Sequence, residues 1–254
     1  MTTFQRLMTI RKERGAGYLV LIDPDKNEKD KLAAFVREAT RAGVDGFLVG
    51  GSLLLTDEFE SHLQTIKGNT TVPVLIFPGS LFQVSSIADA LLFLVLISGR
   101  NPDHLIGNQV IAAPIVKKTG LETISTGYML IEAGNMTSAE FMSNTKPLPR
   151  NKPDIALAHA LAAELIGMKI LYLDAGSGAE ASVPDETIRT ISSHCPLPLI
   201  VGGGIRTPQE ARRKAEAGAS FVVTGTVTER DDLGSLVEEF ATAIHSVSTV
   251  HRRS

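Results

Sequence analysis

Residues 199–226 read LIVGGGIRTPQEARRKAEAGASFVVTGT, and their order decides the fold: strand, glycine turn, helix, strand, second glycine turn. Leu199, Ile200 and Val201 form an apolar run of strand type. Gly202, Gly203 and Gly204 then strip the turn of every Cβ. Thr207 is placed to cap the next helix, and Pro208 suits its first position. Phe221, Val222 and Val223 form a second buried strand that ends at Gly225 and Thr226. Glycine turns at strand ends let backbone N–H groups approach an anion closely. Two of them on consecutive parallel strands match the phosphate site that α/β barrels build after their seventh and eighth strands. The plain alternative is that these glycines only make tight turns.

The same alternation runs through the whole chain. Strands are expected at residues 18–22, 46–49, 74–77, 91–97, 123–131 and 169–173, ahead of the two in the opening stretch. Helices are expected at 28–42, within 56–67, near 84–88, and at 104–118, 154–166, 185–192 and 233–246. Several strand runs are apolar almost throughout, as parallel strands buried on both faces must be. Eight strand–helix repeats in 254 residues favour a closed (β/α)8 barrel. An open doubly wound sheet is the competing architecture, because sequence does not show closure.

Composition narrows the rest. With 25 Lys+Arg against 28 Asp+Glu, no basic face is implied and no nucleic-acid partner is expected. The single cysteine, Cys195, rules out an internal disulfide framework and suits a reducing cytoplasm. The opening MTTFQRLMTIRKERG lacks the apolar core of a signal peptide, and the most hydrophobic stretch, residues 88–98, is too short to span a bilayer. No linker divides the chain; the Pro-rich KPLPRNKP at 146–153 reads as a loop, so residues 1–254 read as one domain.

In such a barrel, chemistry sits at the carboxyl ends of the strands. Those ends carry Asp23-Pro24-Asp25-Lys26, Gly50-Gly51-Ser52, Pro78-Gly79-Ser80, Gly99-Arg100-Asn101-Pro102, Glu132, and Asp174-Ala175-Gly176-Ser177-Gly178. Asp23 follows an apolar strand directly, so its carboxylate can point into the barrel mouth. A hard oxygen ligand beside phosphates suits Mg2+, which keeps waters and takes one or two carboxylates. Asp25 fits a turn or helix cap better. Ser52 could add a hydroxyl to the metal or to a diphosphate, or serve only as a turn serine. Tyr172 and Asp174 lie two residues apart, on one side of their strand. A carboxylate next to an anion-binding turn is unfavourable unless it has a task, and accepting a hydrogen bond from a substrate hydroxyl is one. Tyr172 reads equally as a core residue with its hydroxyl satisfied.

LIDPDK, VGGS, FPGS, SGRNP, TGYMLIEAG, YLDAGSG, VGGGIRTPQEA and VTGT, in that order, resemble the geranylgeranylglyceryl phosphate synthases over about residues 17–229. The resemblance implies a single-domain TIM barrel that joins sn-glycerol-1-phosphate to a polyprenyl diphosphate by an ether bond, with Mg2+, in ether phospholipid synthesis. It implies Asp23 and Ser52 as the metal end. It implies Tyr172, Leu173, Asp174, Ala175, Gly176, Ser177, Gly178, Gly203, Gly204, Gly225 and Thr226 as the glycerol phosphate site, with Asp174 orienting or activating the attacking hydroxyl and Tyr172 beside it. Many relatives carry Glu at the position of Asp174. Many carry an aromatic pair where this chain has Asp103 and His104, which bears on the prenyl end. Arg100 or Lys26 would help the diphosphate leave, and the runs 74–77 and 91–97 would line a water-poor groove. A cytoplasmic homo-oligomer with peripheral membrane contact through its product is expected. Two other classes stay open from the residues alone: another phosphate-binding barrel isomerase or lyase, and a non-catalytic phosphometabolite-binding barrel.

Overall fold

The computed structural model describes residues 1–26, 29–225 and 233–247. Its elements run α1 (Thr3–Arg14), β1 (Gly17–Ile22), α2 (Lys29–Arg41), β2 (Gly46–Val49), α3 (Phe59–Gly68), β3 (Val74–Ile76), β4 (Ala90–Leu96), α4 (Asn108–Thr119), β5 (Glu122–Leu130), α5 (Ser138–Ser143), α6 (Pro153–Leu165), β6 (Ile170–Asp174), α7 (Asp185–His194), β7 (Leu199–Gly202), α8 (Pro208–Glu216), β8 (Phe221–Thr224) and α9 (Leu233–His245). Each strand pairs in parallel with the next, and β8 closes on β1 with Gly17 opposite Phe221 and Val20 opposite Thr224. The sheet is therefore a closed barrel and not an open one.

Strand alternation divides the core in two. Leu19, Leu48, Leu75, Leu92, Ile124, Tyr172, Ile200 and Phe221 pack together inside the barrel. Their neighbours Val20, Phe47, Val49, Val74, Leu171, Leu173, Val201 and Val222 belong to the layer between strands and helices. The amino-terminal end is closed by α1, a helix the sequence reading did not include. Thr2 and Gln5 form its capping box, and Leu7 is fully buried within the interior cluster. The Phe4 amide donates to Glu122 Oε1 at 3.0 Å, which ties the plug to the start of β5.

Two further departures shape the site. The helix expected near residues 84–88 does not form, and β3 passes to β4 through an irregular loop. Ser85 Oγ accepts from the Ile87 amide inside the stretch, and Asp89 Oδ2 reaches back to accept from the Val74 amide at the start of β3, at 2.8 Å. The helix expected at 104–118 instead opens with a π-helical turn, Asp103–Gly107, ahead of α4. Among the described residues no helix is long and apolar enough to cross a membrane, and Cys195 is a buried free thiol.

Candidate active site

The carboxyl-terminal mouth of the barrel holds one cavity of about 1030 Å³. Asp23, Lys26, Ser52, Tyr172, Asp174, Gly176, Ser177, Gly178, Gly203, Gly204 and Gly225 all line it. Thr226 lies outside the described residues. Leu173 and Ala175 do not reach the cavity: alternation sends both into the layer against the helices, so their side chains take no part in the site.

At one end the turns after β6 and β7 lie back to back. Gly176 has φ +92° and Gly203 φ +80°. A Cβ on Gly203 would sit 2.6 Å from both Asp174 Oδ1 and the Gly176 nitrogen, so only glycine lets the two turns meet. Helix α8 starts beside them, with Thr207 Oγ1 accepting from the Glu210 amide and Pro208 in the first turn. Arg206 braces the 176–178 turn, its guanidinium donating to the Ala179 and Glu180 carbonyls at 2.8 and 3.0 Å. Clustered glycine amides next to a helix amino terminus make an anion site.

Asp174 is the last residue of β6 and is only 7% exposed. Its two oxygens are already engaged: the Tyr128 hydroxyl donates to Oδ2 at 2.6 Å and the Gly176 amide to Oδ1 at 2.7 Å. Burial pushes its carboxyl above the ordinary aspartate range, and those two donors pull it only part of the way back. Tyr172 lies beneath it, 1% exposed and stacked on Phe77 with ring centroids 4.6 Å apart. Burial, then the Asp174 charge, raises the Tyr172 hydroxyl well above its usual value, so it is a neutral donor and not a base. Tyr128 completes the group edge-on to both rings. The sequence reading gave it no role, although strand register puts it opposite Tyr172.

The other end is built from β1 and β2. Asp23 Oδ1 accepts from the Asp25 amide at 3.2 Å, and Oδ2 lies 3.6 Å from Lys26 Nζ. Burial raises its carboxyl above the usual range despite those two partners, and the Asp25 charge adds to the rise. Asp25, which also lines the cavity, caps the loop after β2, where the Leu55 and Thr56 amides and the Thr56 hydroxyl donate to it. Burial alone would raise Asp25; those donors outweigh it and hold the carboxyl low. Among the described residues no three His, Cys, Asp or Glu side chains form a metal cluster. A half-buried carboxylate and a hydroxyl lining the same cavity suit a cation that keeps waters and substrate oxygens, as Mg2+ does.

Between the ends runs an apolar slot. Leu92 and Leu94 face the barrel interior while Leu91 and Phe93 face outward, yet all four line the cavity. The helix missing after β3 leaves the outer face of β4 open, and the cavity extends into that gap with Ala112 and Gln109 of α4 on its far side. Of the run 74–77 only Phe77 lines it. Two expectations fail here, those for Arg100 and Glu132. Arg100 turns outward, donating to the Gly99 carbonyl at 2.7 Å and lying 3.3 Å from His159 Nε2. Glu132 is exposed past the end of β5, accepting from the Arg150 amide. Asp103 is absent from the cavity wall, whereas His104 lines it.

Comparison with known proteins agrees with this geometry. The PcrB family profile matches residues 8–246. The geranylgeranylglyceryl phosphate synthase of Chitinophaga pinensis is 45% identical over 94% of this chain and 95% of its own length. That of Methanothermobacter thermautotrophicus is 44% identical over 85% of this chain and 87% of its own. The crystal structure of (S)-3-O-geranylgeranylglyceryl phosphate synthase from Thermoplasma acidophilum, in complex with sn-glycerol-1-phosphate, superposes with a TM-score of 0.91 at 33% identity, covering 97% of this chain and all of that one. Matched in fold, in sequence and along nearly its whole length, this chain belongs to the PcrB family of geranylgeranylglyceryl phosphate synthases.

Proposed function

We infer that this chain is the prenyltransferase that joins sn-glycerol-1-phosphate to a polyprenyl diphosphate. A glycerol oxygen forms the new ether bond to the first prenyl carbon, the bond from that carbon to diphosphate breaks, and the hydroxyl proton leaves to a base or to solvent. The carrying observation is that one cavity joins a glycine anion turn with a carboxylate on its floor to an apolar slot and a second carboxylate. An isomerase or lyase of phosphorylated metabolites would have no use for the slot.

The amides of the turns after β6 and β7, with Gly225 at the end of β8, bind the glycerol phosphate. Asp174 then meets the glycerol hydroxyl. Because Tyr128 and Gly176 fix both of its oxygens, the carboxylate is oriented before substrate arrives, and its raised pKa brings it nearer to a working base. Tyr172 and Phe77 form a flat aromatic floor that keeps water away from the reacting carbon. Asp23 and Ser52 would hold Mg2+, which when bound neutralises charge developing on the departing diphosphate. Lys26 lies at the same end and supplies a further positive charge. The prenyl chain occupies the slot along β4.

The rim of the mouth carries Leu53, Leu55 and Phe82, all exposed and all lining the cavity. This supports peripheral contact with a lipid surface. Exposed Val110, Ile111 and Ile115 on α4 support a homo-oligomer. The test is incubation with sn-glycerol-1-phosphate and prenyl diphosphates of several lengths, read by mass spectrometry. Appearance of the ether product with release of diphosphate is expected; turnover of neither substrate overturns the reading.

A further inference from the structure

Gln83 sits in the loop that replaces the helix after β3, and it is fully buried. Its carboxamide oxygen accepts from the Gly79 amide at 3.1 Å and from the Gly51 amide at 3.3 Å, and its amide nitrogen donates to the Gly51 carbonyl at 2.8 Å. One side chain thus satisfies both backbone polar groups of Gly51 at the point where β2 and β3 stop pairing, just beyond Val49 and Ile76. The two loops it joins are in direct contact, since a Cβ on Gly79 would come 2.8 Å from Ser52 Cα. Gly51 in turn abuts the carboxylate at the metal end: its own Cβ position lies 2.9 Å from Asp23 Oδ1. The arrangement is a chain of contacts from Gln83 through Gly51 to Asp23 and Ser52.

We propose that Gln83 is a positioning residue for the diphosphate end of the site, holding the 50–52 turn so that Ser52 and Asp23 face the same point. This rests on the reading of Asp23 and Ser52 as the Mg2+–diphosphate end. Gln83 is absent from the cavity wall and touches no substrate; it acts through Gly51. A loop without regular structure has no backbone ladder to keep its strand end in place, and the carboxamide supplies that ladder with a side chain. Removing an outer partner that orients metal-end groups typically costs about 10–100-fold in metal affinity or activity. The effect should be confined to one end of the cavity, because the glycerol phosphate turns belong to β6, β7 and β8.

The test uses calorimetry without turnover. Wild type, Gln83→Met, Gln83→Glu and Asp23→Asn are each titrated with inorganic diphosphate in the presence of Mg2+, and separately with sn-glycerol-1-phosphate. Gln83→Met keeps the volume but loses all three hydrogen bonds; Gln83→Glu keeps the acceptor and loses the donor to Gly51. Both are expected to weaken Mg2+–diphosphate binding by about 10–100-fold, with glycerol phosphate affinity changed by less than about twofold. Should Gln83→Met fail to fold, Gln83→Leu, which also loses all three hydrogen bonds and adds no buried charge, is titrated in the same way and carries the comparison. If Asp23→Asn weakens Mg2+–diphosphate binding and the Gln83 variants do not, the positioning role is overturned. Equal losses at both ends would make Gln83 a general packing residue and overturn it also. If Asp23→Asn leaves diphosphate binding intact, the reading of Asp23 fails, and the inference with it.

Discussion

Asp174→Asn separates the two tasks a carboxylate can have at this position. The substitution is mild for the fold. The asparagine oxygen can keep the 2.7 Å bond from the Gly176 amide, and its NH2 can face Tyr128, whose hydroxyl turns from donor to acceptor. What is lost is the charge and the ability to take a proton. Loss of a general base costs about 10²–10⁴-fold in rate, or about 3–5 kcal/mol of transition-state stabilisation. We expect that loss in kcat, with KM for glycerol phosphate little changed, measured at saturating prenyl diphosphate. Asp174→Ala should do more, because it leaves the Tyr128 hydroxyl and the Gly176 amide without partners, at about 1–3 kcal/mol of stability each. The pH profile supplies an independent readout. Burial raises the Asp174 carboxyl, so the acid limb of kcat/KM in the wild type should lie above the ordinary aspartate range and vanish in Asp174→Asn. Stability has the matching sign. The folded chain holds this proton more tightly than the unfolded chain, so ionisation costs stability as pH rises from the unfolded value through the raised folded one. Asp174→Asn should therefore gain in melting temperature over wild type at neutral pH relative to acid. Near-normal kcat with raised KM in Asp174→Ala would make the residue a positioner only; normal kinetics in both variants would refute its placement in the site.

Tyr128→Phe removes the hydroxyl that donates to Asp174 Oδ2. It should cost about 1.5–3 kcal/mol at neutral pH, the usual value for a bond to a charged group, and move the acid limb of kcat/KM to higher pH, both read by parallel melting and rate profiles. Gly203→Ala forces a Cβ to within 2.6 Å of Asp174 Oδ1 in a backbone of φ +80°; calorimetry should show glycerol phosphate affinity down by tenfold or more, equivalent to the ~1–3 kcal/mol cost of such strain. Leu7→Ala opens the plug beneath the barrel and should cost about 2–5 kcal/mol in chemical denaturation, with KM for both substrates unchanged.

Most of the barrel is legible in the chain because strands buried on both faces read as unbroken apolar runs; residues 46–49 were expected and are β2. The plug helix α1 is harder to see. Phe4, Leu7 and Met8 have helical spacing, but they sit among basic and hydroxyl side chains that make the stretch look like a solvated terminus. The failed helix at 84–88 has the right apolar residues, but Ser85 takes the Ile87 amide locally, and Asp89 just beyond it is committed to the Val74 amide of β3, a tertiary contact. The glycine turns and both carboxylates at the mouth could be placed from strand order alone, since alternation and strand ends fix their direction. Tyr128 could not, because its use depends on the register of β5 against β6. Arg100 misled for a related reason: its charge suggests a diphosphate partner, but the direction of a turn residue is set by the carbonyls around it, and here those face outward. Gln83 gave no signal at all, being uncharged, and its bonds to Gly51, 32 residues away, are set by the tertiary fold.

The central claim is that one cavity holds both substrates with the glycerol hydroxyl at Asp174. A crystal structure with sn-glycerol-1-phosphate and Mg2+–diphosphate bound together tests it most directly. The account predicts the glycerol phosphate anion on the amides of Gly203 and Gly204, a glycerol hydroxyl within hydrogen-bond reach of Asp174, and diphosphate at Asp23 and Ser52. Glycerol phosphate seated at Asp23, or diphosphate on the turn after β7, would contradict it.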